Sequence, residues 1–79
     1  MESLKELVEV VARSLVDHPE AVDVSEREGG QSSLMELRVA HEDLGAVIGR
    51  RGQTVDAMRT LLAAAGAKLK RRIILDVIE

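Results

Sequence analysis

Leu4, Leu7, Val8, Val11, Ala12 and Leu15 recur at intervals of three and four residues, and Glu2, Lys5, Glu6, Glu9 and Arg13 lie outside that series. The spacing matches the roughly 3.6-residue turn of an α-helix, so these positions predict one apolar stripe on an amphipathic helix. Ser3 stands where an N-cap belongs, and Glu6 three residues later completes a capping box. Pro19 ends the helix and biases His18 away from helical geometry.

The period then shortens. Val22 and Val24 alternate with Asp23 and Ser25, and Met35, Leu37 and Val39 alternate with Glu36 and Arg38. Two alternating runs around Gly29-Gly30 predict a β-hairpin whose inward face is Val22, Val24, Met35, Leu37 and Val39. After Ala40 the pattern turns helical again. Glu42 and Asp43 stand where a helix N-terminus favours negative charge. Leu44, Val47 and Ile48 make a short apolar turn that Gly49 stops. A second long helix runs from about Gln53 to Ala65 on a stripe of Val55, Met58, Leu62 and Ala65, with Gly66 as its C-terminal cap. A basic loop from Ala67 to Arg72 leads to a last strand. There Ile73, Leu75 and Val77 share one face, and Ile74, Asp76 and Ile78 the other.

The predicted order is α-β-β-α-α-β, an α+β class. A hairpin followed by a two-helix crossover makes the second and third strands parallel neighbours, hence a three-stranded mixed sheet. Right-handed crossover and a single apolar sheet face put all three helices on one side. The 79 residues suffice for one small domain spanning residues 1–79.

Composition narrows the chemistry. There is no Phe, Trp or Tyr, so folds that stack bases on aromatic platforms lose their main contact. The absence of Cys excludes disulfides and thiolate metal sites and suits a reducing compartment. No signal peptide and no run near the ~20 apolar residues of a membrane span is visible, which predicts a cytoplasmic protein. The net charge is −3, yet it is unevenly spread. Residues 44–72 carry seven basic groups (Arg50, Arg51, Arg59, Lys68, Lys70, Arg71, Arg72) against Asp56 alone. Local potential rather than net charge steers a polyanion; the same residues also read as a plain solvated surface.

At the centre of that basic segment stands Gly49-Arg50-Arg51-Gly52, preceded by Val47-Ile48 and followed by the helical pattern of Val55 and Met58. Glycine permits close backbone approach and positive φ, arginines supply charge and donors, and a helix start aims free N–H groups at the same place. No Lys-Ser/Thr follows, so this is not a Walker P-loop, and the Gly-x-Gly-x-x-Gly dinucleotide fingerprint is absent. His18 and His41 are isolated histidines at element ends, where capping or exposure outweighs catalysis or metal binding. No nucleophile–base pair with an orienting group is present, and the reading is non-enzymatic, with no metal, cofactor or small-molecule substrate.

Ile/Val-Ile-Gly-x-x-Gly followed by an apolar residue three positions on resembles the signature of the K-homology (KH) domain, and the element order resembles its type II arrangement. Glu42-Asp43-Leu44-Gly45, the glycine loop and Arg59-Thr60-Leu61-Leu62 resemble the small bacterial single-KH proteins of the KhpA family. His41 departs from the proline often found there. The resemblance spans essentially the whole chain. It implies that Gly49, Arg50, Arg51 and Gly52 clamp the backbone of about four nucleotides of single-stranded RNA. It further implies an apolar groove lined by Leu44, Ile48 and Val55 from the helices and by Leu37 and Val39 from the adjoining strand. Each of these aliphatic residues reads equally as core. Arg59 reads as a base or phosphate contact or as surface charge.

The second long helix carries more apolar surface than one buried stripe needs: Ala57, Leu61, Ala63 and Ala64 lie beyond it. An interface through Ala57, Leu61 and Ala64 explains this, and so does the high helix propensity of alanine. The family resemblance implies a homodimer or a larger KH-containing partner. Together these features suggest a low-specificity RNA chaperone or post-transcriptional regulator that gains avidity by pairing. The alternative is a protein-interaction adaptor whose glycine loop is purely structural.

Overall fold

The computed structural model describes residues 2–79, with side chains from Leu4 onward. Six regular elements follow in order: α1 (Glu2–Leu15), β1 (Asp23–Gly29), β2 (Ser32–Arg38), α2 (Leu44–Ile48), α3 (Gln53–Leu69) and β3 (Arg72–Ile78). The α-β-β-α-α-β order is the predicted one, and the α+β architecture is that of a type II KH domain. α1 already begins at Glu2, so Ser3 falls inside the helix rather than at its N-cap.

The sheet has the order β1-β2-β3. β1 and β2 are antiparallel with Val24 opposite Leu37, and β2 and β3 are parallel with Met35 opposite Leu75. Gly29 pairs with Ser32, so the hairpin turns on Gly30 and Gln31, and Gly30 takes the positive φ (56°) that a side chain would resist. Alternation along the strands then puts Val24, Met35, Leu37 and Leu75 on one face. All four are buried there, with Val22 and Val39 beside them.

The helices cover that face with Val8 and Ala12 from α1, Val47 from α2, and Val55, Met58 and Leu62 from α3. Met35, Leu37, Leu62, Leu75 and Val47 are the largest fully buried apolar side chains. Each contributes about 1.5–3 kcal/mol relative to exposure. Leu7 and Leu15 fall at the exposed margins of the α1 stripe.

The ends of two helices differ from expectation. α1 stops at Leu15, and Pro19 opens a short 3-10 turn, Pro19–Ala21, rather than ending the helix itself. The backbone N–H groups of Asp17 and His18 are taken instead by the two carboxylate oxygens of Asp43, at 3.1 and 3.0 Å. α3 runs past Ala65 to Leu69, so Gly66 is an interior residue and the first half of the basic loop expected from Ala67 to Arg72 is helix. Gly66 is there for close packing: a β-carbon on it would lie 2.4 Å from the Arg71 carbonyl oxygen. The left-handed residue that ends the helix is Lys70 (φ 57°). The Arg71 N–H donates to Gly66 O at 2.8 Å and the Lys70 N–H to Ala67 O at 3.2 Å, the paired bonds of a Schellman motif.

Candidate nucleic-acid interface

The chain between α2 and α3 is a tight reversal built from backbone rules. The Gly49 N–H donates to Gly45 O at 2.9 Å and closes α2; the Gly52 N–H donates to Gly49 O at 3.1 Å and closes the turn. Gly49 has φ 78° and ψ 174°, and Gly52 has φ 76° and ψ 11°. Both values are open to glycine and strained for residues with a β-carbon. Gly49 is doubly constrained, because a β-carbon there would also run into Thr54.

Arg51 is held in the left-handed region as well, at φ 56° and ψ 26°, without the freedom of glycine. That conformation costs a residue with a side chain about 1–2 kcal/mol. Arg50 and Arg51 are both exposed, and among the described residues neither enters an ion pair. α3 begins at Gln53 without a side-chain cap hydrogen bond, its first N–H donating to the Arg50 carbonyl, and the positive end of its dipole lies next to the two arginines in the chain. Bare glycine backbone, two unpaired cations and a helix N-terminus therefore converge on one corner of the molecule.

The other predicted contacts separate. Ile48 is 39% exposed beside Gly49, and Leu44 is half-buried one turn earlier. Leu37, Val39 and Val55 retain 0, 3 and 6% of their surface. They belong to the core and support the surface from beneath rather than line it, because the helices sit directly on that sheet face. Arg59 donates from Nε and Nη2 to the Leu75 carbonyl at 3.2 and 3.1 Å, with Asp56 3.6 Å away. β3 is an edge strand, and Arg59 satisfies an acceptor on its open side. Arg71 reaches the hairpin, donating to Ser32 O and Ser33 Oγ at 3.1 and 3.2 Å. Lys68, Lys70 and Arg72 are exposed at the far end of α3.

Ala57, Leu61 and Ala64 are exposed on one side of α3, Leu61 at 60%. Between α1 and α3 runs an apolar crease lined by Leu7, Val8, Val11, Met58, Leu61 and Leu62.

Two residues near the site have roles that the sequence reading did not assign. Thr54 packs against Gly49, and Asp43, 2% exposed, pins the exit of α1 rather than serving merely as a charge at a helix start. His18 lies 3.6 Å from Glu42, while His41 Nδ1 meets Glu79 Oε2. The hydrogen bond and charge of Glu79 raise the His41 pKa above its ordinary 6.5. Among the described residues no cluster of three His, Asp or Glu is placed to hold a metal, and no helix is long and apolar enough to cross a membrane.

The fold and the glycine loop define a KH domain. The family described as KhpA/KhpB, KH domain, matches residues 5–77, and the chain belongs to it. It is 51% identical to the RNA-binding protein KhpA of Caldanaerobacter subterraneus subsp. tengcongensis, over 92% of this chain and 97% of that one. It is 47% identical to the RNA-binding protein KhpA of Clostridium acetobutylicum, over 95% and 100% of the two chains. With the RNA-binding protein KhpA of Aquifex aeolicus it shares 43% identity over the full length of both. No solved structure matches it significantly.

Proposed function

We propose that this protein is a non-enzymatic RNA-binding module that grips the backbone of single-stranded RNA at Gly49–Gly52. The observation that carries the reading is the exposed Arg50-Arg51 pair, Arg51 in a left-handed conformation, between two positive-φ glycines at a helix start without a side-chain cap. Such a corner offers point charge, forked donors and backbone N–H groups to phosphate oxygens. The relatives' name, RNA-binding protein, supports RNA as the polymer. With no aromatic platform, the single site binds weakly and reads little sequence. That suits a chaperone-like or regulatory role in the cytoplasm better than selection of one target.

A second reading, that α3 mediates pairing, is favoured by the exposed Leu61 beside the apolar crease with α1. Pairing with a second copy or with a larger KH protein places two clamps on one RNA and raises avidity by effective concentration. The adaptor alternative keeps this surface and removes the clamp. Titrating the isotope-labelled protein with oligouridylate tests the division by NMR. The clamp reading expects amide shifts concentrated from Leu44 to Val55. Shifts absent there but present along Ala57 to Ala64 favour the adaptor.

A further inference from the structure

Residues 44–72 carry seven basic groups and one acid, and that acid, Asp56, stands at the glycine loop. A β-carbon on Gly52 would come within 3.9 Å of Asp56 Oδ2. The other carboxylate oxygen, Oδ1, lies 3.6 Å from Arg59 Nη1. Arg59 is itself tied down, since its Nε and Nη2 both donate to the Leu75 carbonyl. One carboxylate oxygen is thus held toward Arg59, and the other is left beside Gly52, with 71% of the side chain open to solvent.

A clamp that held phosphate and nothing else would do better without this group. An anion one helical turn from Gly52, about 6 Å along α3, repels the same RNA backbone that Arg50 and Arg51 attract. The helix end explains it only in part. An acid steadies a helix most at its first positions, yet Gln53 and Thr54, which open α3, carry no charge. The i,i+3 ion pair with Arg59 is a small gain between two side chains this exposed.

What a carboxylate adds at this place is a hydrogen-bond acceptor, whereas Arg50 and Arg51 can only donate. Cytosine, adenine and guanine each carry an amino group that can donate to it. Uracil presents a carbonyl oxygen where cytosine has its amino group, and its one N–H lies between two carbonyls. In a chain without aromatic side chains, hydrogen bonds of this kind are the means left for telling bases apart.

We propose that Asp56 is a specificity-determining residue: its Oδ2 accepts the amino group of a base next to the phosphates held at Gly49–Gly52, which favours amino-bearing bases over uracil. The proposal rests on the clamp reading of Arg50 and Arg51. It describes a bias and not the choice of one target, because a single solvent-exposed hydrogen bond separates two bases by roughly three- to tenfold.

The test measures the affinities of the unmodified chain, Asp56→Ala, Asp56→Asn and Arg50→Asp/Arg51→Asp for oligocytidylate and oligouridylate of equal length at one salt concentration. Circular dichroism shows that each variant is folded. The unmodified chain is expected to bind oligocytidylate roughly three- to tenfold tighter. In Asp56→Ala the affinity for oligouridylate should rise as the repulsion is removed, and the ratio should fall to near one. Asp56→Asn keeps the shape and offers a donor as well as an acceptor, so it too should bring the two affinities together. Equal affinities in the unmodified chain, or an unchanged ratio in both Asp56 variants, overturn the proposal. Binding to both oligomers lost in the arginine variant would then leave the clamp standing. An arginine variant that keeps its affinity for both removes the clamp reading itself.

Discussion

Gly49 and Thr54 are packed so closely that a β-carbon on Gly49 would lie 2.2 Å from Thr54 Oγ1 and 2.9 Å from the Thr54 backbone nitrogen. This contact locks the first residue of the loop against the first turn of α3, which fixes where the two arginines emerge. Gly52 has a similar φ, but its nearest neighbour would be Asp56 Oδ2 at 3.9 Å. Gly49→Ala must therefore absorb both backbone strain and a clash, a loss of about 2–4 kcal/mol, whereas Gly52→Ala absorbs strain alone, about 1–2 kcal/mol. Urea unfolding of the two variants checks the order; equal losses would mean that the Thr54 contact yields freely.

Asp43 accepts the N–H groups of Asp17 and His18 from a nearly buried position. Removing the carboxylate leaves two donors without their acceptor. Asp43→Ala is expected to lose about 1–3 kcal/mol of stability. Amide exchange at Asp17 and His18 should quicken more than exchange in the core strands.

His41 predicts a small pH effect at the surface. The hydrogen bond to Glu79 comes first among the causes that raise its pKa, followed by the Glu79 charge. A raised folded-state pKa makes the protonated pair stabilising below the ordinary value near 6.5. That contribution is lost as pH rises through the folded value. An NMR titration should find the His41 midpoint above 6.5 in the unmodified chain and lower in Glu79→Gln.

Leu61 is the most exposed large apolar residue on α3 beside the α1 crease. If this face pairs, Leu61→Glu shifts sedimentation toward the monomer with little change in melting temperature. A chain already monomeric at high micromolar concentration, and unaffected by Leu61→Glu, would rule out self-association through this face.

The elements that were legible in the sequence are those fixed by local rules. Val8 and Ala12 on a helical stripe, and Val24, Met35, Leu37 and Leu75 on alternating strands, carry their burial in their spacing. The loop was legible because Gly49 and Gly52 require a backbone few other residues accept. Gly66 misled because glycine after an apolar run is a stop signal in general. Here the returning Arg71 carbonyl demands a missing side chain inside the helix. Arg59 with Leu75 and Asp43 with Asp17 are partners 16 and 26 residues apart, and no local pattern announces them. Leu37, Val39 and Val55 could not be sorted between groove and core, since both environments select the same aliphatic side chains and only the packed helices decide.

The most direct test of the central claim is the affinity of Arg50→Asp/Arg51→Asp for single-stranded RNA across a range of salt concentrations, with circular dichroism to show the fold intact. A two-phosphate clamp predicts a large loss at low salt and a log–log salt slope shallower by about 1.4, at roughly 0.7 per phosphate on a single strand. The unmodified affinity and slope retained in the variant would contradict the clamp.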